Sequence, residues 1–96
     1  MKFRIQFTDA AKATLKGLPR HVQVEVLDAI EAILAHQPEL ESKSRIKRLR
    51  EFKVPSYRLR VGDHRVFYSV LEGGVIIHAA VSKDTANAWL EQFGTR

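Results

Sequence analysis

The 96-residue sequence contains no cysteine, which excludes a disulfide framework and any thiolate metal site. No apolar run approaches the ~20 residues of a membrane span. The opening Met1-Lys-Phe-Arg-Ile-Gln-Phe7 alternates basic and apolar side chains instead of presenting an apolar signal core. A cytoplasmic location is therefore expected, with no membrane among the partners. His21, His36, His64 and His78 lack metal-ligand spacing, and no His-Glu-x-x-His motif occurs. Neither a metal nor another cofactor is expected. No phosphate-cradling glycine loop is present, because Gly73-Gly74 fits a hairpin turn far better. Glu25, Asp28 and Glu31 sit on the exposed part of a helix rather than paired for acid–base work. Ser69 and Ser82 have no evident His/Asp partners for a nucleophilic triad.

The composition, 45% hydrophobic and 28% charged, is that of a chain that folds rather than one that stays disordered. Residues 1–96 are expected to form one domain, since that length is within the common domain size. The net charge of +5 is unevenly spread. Residues 43–65 hold nine basic side chains (Lys43, Arg45, Lys47, Arg48, Arg50, Lys53, Arg58, Arg60 and Arg65) against Glu51 and Asp63, a net of +7, while each flank carries −1. A field this concentrated attracts polyanions, whether RNA, DNA or an acidic protein segment. A solvated basic surface is the plainer alternative.

Periodicity predicts the order β-α-α-β-β-β-α. Phe3, Ile5 and Phe7 alternate with Lys2, Arg4 and Gln6 as a half-buried strand. Thr8 is a helix N-cap and Gly17 a stop, with Ala11 and Leu15 forming the apolar stripe between them. A second helix begins at Pro19, buries Val22, Val26, Ile30 and Ile33 with Leu27 and Leu34 beside them, and ends at Pro38. Residues 39–56 fit either a helical turn or an irregular strand. A three-stranded antiparallel meander follows, turning at Gly62-Asp63 and Gly73-Gly74. Tyr57, Leu59, Val61, Val66, Tyr68, Val70, Val75, Ile77, Ala79 and Val81 are expected on its buried face. Ser82 caps a last helix whose Ala86, Trp89, Leu90 and Phe93 follow i, i+3, i+4, i+7. The fold class is α+β: an N-terminal strand and helical hairpin packed on a small curled antiparallel sheet, with a short C-terminal helix.

Alternation puts Arg58, Arg60 and Arg65 on the sheet face opposite the core, together with Phe67 and His78. That face is expected to be an open platform. A guanidinium stays protonated and offers a planar fork suited to phosphate oxygens, and an exposed Phe67 can stack on a base. Lys47, Arg48, Arg50 and Lys53 extend the RNA-binding candidates. A lone arginine on a sheet's solvent face is more often a solubilising charge; three on adjacent strands, fed by a basic block, favour an anion site. Trp89 and Phe93 are core or a partner-binding helix face, with core favoured.

Ile5-Gln-Phe-Thr8, Leu15-Lys-Gly-Leu-Pro19, Ile46-Lys-Arg-Leu49 and above all Tyr57-Arg-Leu-Arg-Val-Gly-Asp-His-Arg-Val-Phe-Tyr-Ser-Val70 resemble the RelE/ParE superfamily of bacterial type II toxin–antitoxin toxins along about the whole chain. The resemblance implies a RelE-like fold and a cognate antitoxin as partner, with operator DNA reached only through that antitoxin. For RelE-like members it implies a metal-independent mRNA endoribonuclease (an mRNA interferase) acting on the ribosome and so inhibiting translation. Arg65 would then stabilise the transition state, and Arg58 and Arg60 would hold phosphates. The RelE pattern has lysines at the first-strand positions that Arg58 and Arg60 occupy here. It often has a tyrosine beyond the last strand as well, whereas this chain offers only Lys83 as a basic residue there. Lys83, His78 and His64 are the candidates for a general base. ParE-like members instead poison DNA gyrase by protein contact, and a third possibility is a degenerate member that only binds antitoxin.

Overall fold

A computed structural model describes residues 2–96. Strand β1 (Arg4–Phe7) leads into α1 (Asp9–Lys16), which Thr8 caps by accepting a hydrogen bond from the Ala11 N–H at 2.9 Å. Helix α2 (Arg20–Ala29) continues as a wider π-helical turn over Ile30–Leu34. Then come β2 (Ile46–Arg48), β3 (Tyr57–Val61), β4 (His64–Leu71), β5 (Gly74–Ser82) and α3 (Lys83–Phe93). The strands form one five-stranded sheet in the order β1-β5-β4-β3-β2. The meander is antiparallel, as the turn signals require, and β1 adds a parallel pairing along β5. The result is a mixed α+β sheet with α1 and α2 on one face. Gly62 (φ +56°) and Gly73 (φ +72°) occupy the left-handed conformation that the two hairpin turns need.

The main core lies between the helical hairpin and the sheet. Val22, Val26, Ile30 and Leu34 recur every four residues and pack against Leu59, Val66, Tyr68 and Ile77. Burying a large apolar side chain contributes ~1.5–3 kcal/mol. Tyr68 is wholly buried, stacks on Tyr57 with ring centroids 5.5 Å apart, and donates its hydroxyl proton to the Pro38 carbonyl at 2.6 Å. That bond ties the end of the helical hairpin to the sheet centre. Beyond the last β1–β5 pair, the Ala80 N–H is satisfied by Thr14 Oγ1 at 3.0 Å.

Two expectations are corrected, and one left open is decided. Leu27 is 43% exposed, because the four-residue repeat that ends in Leu34 turns position 27 to solvent. Residues 39–56 contain the short strand β2, whose Ile46 enters the main core opposite Leu59. A bulge between Phe67 and Tyr68 inserts His78 into β5, and the inserted residue reverses the alternation beyond it. Ala80 therefore enters the main core, whereas Ala79 and Val81 pack on the opposite face with Phe67.

Candidate functional site

Register builds the site across β2, β3 and β4. Lys47 lies opposite Arg58, which lies opposite Phe67; one step along, Arg60 lies opposite Arg65. Alternation sends these side chains to the face away from α1 and α2. The face is not the open platform expected from sequence. Helix α3 crosses it, placing Ala86, Leu90 and Trp89 on Phe67 and Ala79 in a second apolar cluster. Trp89 stacks on Phe67 with centroids 5.1 Å apart and planes within 8°. The helix covers only part of the sheet. Between it, the 49–52 loop and the strands is a cleft of about 450 Å³.

Arg58 and Arg65 form the cationic floor of this cleft, with Lys47, Arg50 and Lys83 around it. Among the described residues, no carboxylate pairs with Arg58, Arg60 or Arg65. The Arg58 Nε is buried and has no hydrogen-bond partner. Burial, and then the nearby charges of Arg65 and Arg60, push the Arg58 pKa down; an arginine nevertheless remains charged at neutral pH. A partly desolvated cation among like charges, with a donor unused, is a site that an anion would relieve. Arg65 is held in place by its Nη1, which donates to the Gly62 and His64 carbonyls, each at 3.0 Å. The Gly62 turn thus aims the guanidinium as well as reversing the chain. Lys83 is fixed beside it: its backbone N–H donates to the Asp63 carbonyl at 2.8 Å, and its Nζ lies 3.7 Å from Asp63 Oδ1.

The other residues singled out from sequence divide by position. Arg60 is exposed beside Arg65. Arg48 lines the cleft rim, but its guanidinium turns to the Tyr57 ring and donates to Tyr57 Oη at 3.1 Å. Arg50 pairs with Glu41 at 3.1 Å and lowers that carboxyl's pKa. Lys53 lies outside the cleft lining, its backbone N–H bonded to Thr95. Phe67 is 0% exposed, so the base-stacking role is withdrawn; the covering helix leaves it no free face. His78 also stands outside the cleft, on the bulge, 2.9 Å from Ser69 Oγ through Nε2. Ser69 thus has a histidine neighbour that sequence spacing concealed, because the bulge creates it. His64 shares strand alternation with Val66 and points away from the arginines. Phe93 is 59% exposed, its ring centroid 5.5 Å from that of Trp89, so it is no core residue.

Sequence reasoning missed the walls. Asn87 and Glu91 line the cleft from α3, and Glu51 and Phe52 line it from the loop. The signal for the helical wall was present in the i, i+4, i+8 spacing of Lys83, Asn87 and Glu91. The loop wall has no comparable periodicity.

No helix in the described residues is long and apolar enough to cross a membrane, and no group of three His, Asp or Glu able to hold a metal occurs among them. A family model described as the ParE toxin of the type II toxin–antitoxin system parDE matches residues 5–85. No curated protein matches the chain. Solved structures with the same fold include the RelBE2 toxin–antitoxin complex of Mycobacterium tuberculosis, at TM-score 0.74 and 21% identity over 85% of this chain and 92% of that one. The archaeal RelE–RelB complex of Pyrococcus horikoshii matches at TM-score 0.68 and 25% identity, over 86% and 97% of the two chains. A double mutant of the E. coli toxin RelE in the free state matches at TM-score 0.69 and 17% identity, over 97% and 99%.

Proposed function

We propose, from the premise that this chain belongs to the ParE toxin family of the RelE/ParE superfamily, that it is a metal-independent endoribonuclease that cuts mRNA on the ribosome. The observation that carries this reading is the cleft floor of Arg58 and Arg65, neither with a carboxylate partner among the described residues and Arg58 with a buried, unused donor. In the reaction a ribose 2′-hydroxyl passes its proton to solvent as its oxygen attacks the adjacent phosphorus, and the bond to the 5′-oxygen breaks. A 2′,3′-cyclic phosphate and a 5′-hydroxyl result. The phosphorane between them carries extra negative charge, which preorganised cations stabilise by ~3–4 kcal/mol each. Arg65, braced by two carbonyls, is assigned that charge, Arg58 the non-bridging oxygens, and exposed Arg60 a flanking phosphate. Lys83 is assigned proton delivery to the departing 5′-oxygen. Lys47 and Arg50 would guide the backbone at the rim, and the ribosome would supply the remaining groups. The cognate antitoxin is proposed as the second partner, since RelBE2 and the archaeal relative were solved as antitoxin complexes. An acidic segment would complement the basic cleft.

Primer extension on mRNA after induction should show codon-associated cuts that disappear in Arg65→Ala. Two observations favour a second reading, gyrase inhibition by protein contact: no imidazole lines the cleft, and Phe93 stands exposed beside Trp89. Intact transcripts together with an SOS response and gyrase-trapped DNA would replace the first reading with the second.

A further inference from the structure

We infer that Gly94 and Arg96 are positioning residues that clasp the two walls of the arginine cleft together. The inference rests on the reading that the cleft binds RNA. The loop wall carries Glu51 and Phe52; the helical wall carries Leu90 and Glu91. Beyond α3, Val54 and Thr95 form an isolated antiparallel bridge, with the Thr95 N–H donating to the Val54 carbonyl at 2.7 Å. The N–H groups of Lys53 and Val54 donate in return to the Thr95 carbonyl at 2.6 and 3.2 Å. Arg96 then reaches both walls at once. Its guanidinium lies 4.7 Å from the Phe52 ring centroid, its Nη1 is 3.5 Å from Glu51, and its Nη2 is 2.8 Å from Glu91.

Gly94 makes this turn possible. A Cβ there would stand 2.6 Å from two Phe52 ring carbons and 2.6 Å from the Leu90 carbonyl oxygen, so the segment can approach the loop only without a side chain. The φ of −71° is open to any residue, so the need is for space, not for conformation. The 49–52 loop is tied by two backbone bonds, Leu49 N–H to the Ser56 carbonyl at 2.8 Å and Phe52 N–H to the Leu49 carbonyl at 3.2 Å. The clasp supplies the rigidity that a preorganised cation site requires.

The test uses the full chain with a short single-stranded RNA in fluorescence anisotropy, and amide hydrogen exchange without RNA. Gly94→Ala changes no charge, and it should weaken RNA binding about tenfold while keeping the native circular dichroism. Arg96→Ala and the milder Arg96→Lys should do the same. In the cysteine-free chain, Val54→Cys with Thr95→Cys joins directly opposed residues of an antiparallel pair, a separation a disulfide spans. That lock should restore the affinity of Arg96→Ala when oxidised and lose it again when reduced. An unrescued loss would mean that Arg96 acts only as a charge, and would overturn the inference. So would unchanged affinity in Gly94→Ala. If the wild-type chain binds no RNA, the functional reading fails, and exchange decides the clasp alone. Faster exchange at Leu49 and Phe52 in both Gly94→Ala and Arg96→Ala supports it; unchanged protection refutes it.

Discussion

Replacing Arg58 by Met separates activity from stability, because the two should move in opposite directions. Methionine keeps an unbranched apolar stem against the second cluster while removing the charge and the orphaned Nε donor. An unmade hydrogen bond at a buried donor costs ~1–3 kcal/mol; the low end applies because part of the guanidinium meets solvent. Repulsion from Arg60 and Arg65 disappears too, by an amount that solvent screening keeps small. A net gain of ~1 kcal/mol raises the melting temperature of a chain this size by about 4–8 °C. The cleft meanwhile loses a donor worth ~3–4 kcal/mol at the phosphorane, which corresponds to roughly 10²–10³-fold slower cleavage. Differential scanning fluorimetry and primer extension on the purified variant read both numbers. A lower melting temperature would show that Arg58 is structural, and wild-type cleavage would remove it from the site.

Four other outcomes follow from particular residues. Tyr68→Phe keeps the stack on Tyr57 but strands the Pro38 carbonyl. It should cost ~1–3 kcal/mol in urea denaturation without changing activity. Trp89→Ala uncovers Phe67 and should cost ~3 kcal/mol, as large-to-small changes in packed clusters do. Phe93→Ala should shift stability by less than ~0.5 kcal/mol, so any larger loss of antitoxin affinity, measured by calorimetry, would mark Phe93 as a contact. Burial holds the His78 pKa below 6.5, so below that pH the unfolded chain binds more protons than the folded one. Stability should therefore rise with pH toward 6.5 and fall on acidification. Denaturation midpoints between about pH 5 and 7 should vary less in His78→Gln, and an unchanged slope would refute the assignment.

Much of the frame was legible because it rests on local rules. Thr8, Gly17, Gly62 and Gly73 act within a few residues of themselves, and the period-two run from Tyr57 to Val70 sorts arginines from core side chains without reference to the rest of the chain. The places where sequence reasoning went astray or stayed open are those set by distant partners. Ala79 and Val81 changed face because of one inserted residue at His78, which leaves no mark in composition. Residues 46–48 became a strand because β3 offered an edge, not because their own pattern demands it. Phe67, read as an exposed stacking ring, was buried by a helix that joins it from more than twenty residues along the chain.

The amino-acid order alone therefore determined the α+β elements other than β2, the family likeness and the common face of Arg58, Arg60 and Arg65, because side-chain alternation in a strand is a backbone property. Only the tertiary structure decided that this face is a walled cleft, that Arg58 is partly desolvated there, and that Gly94 and Arg96 bridge its walls. Burial and contact depend on how separate elements pack, and no local period encodes where α3 comes to rest.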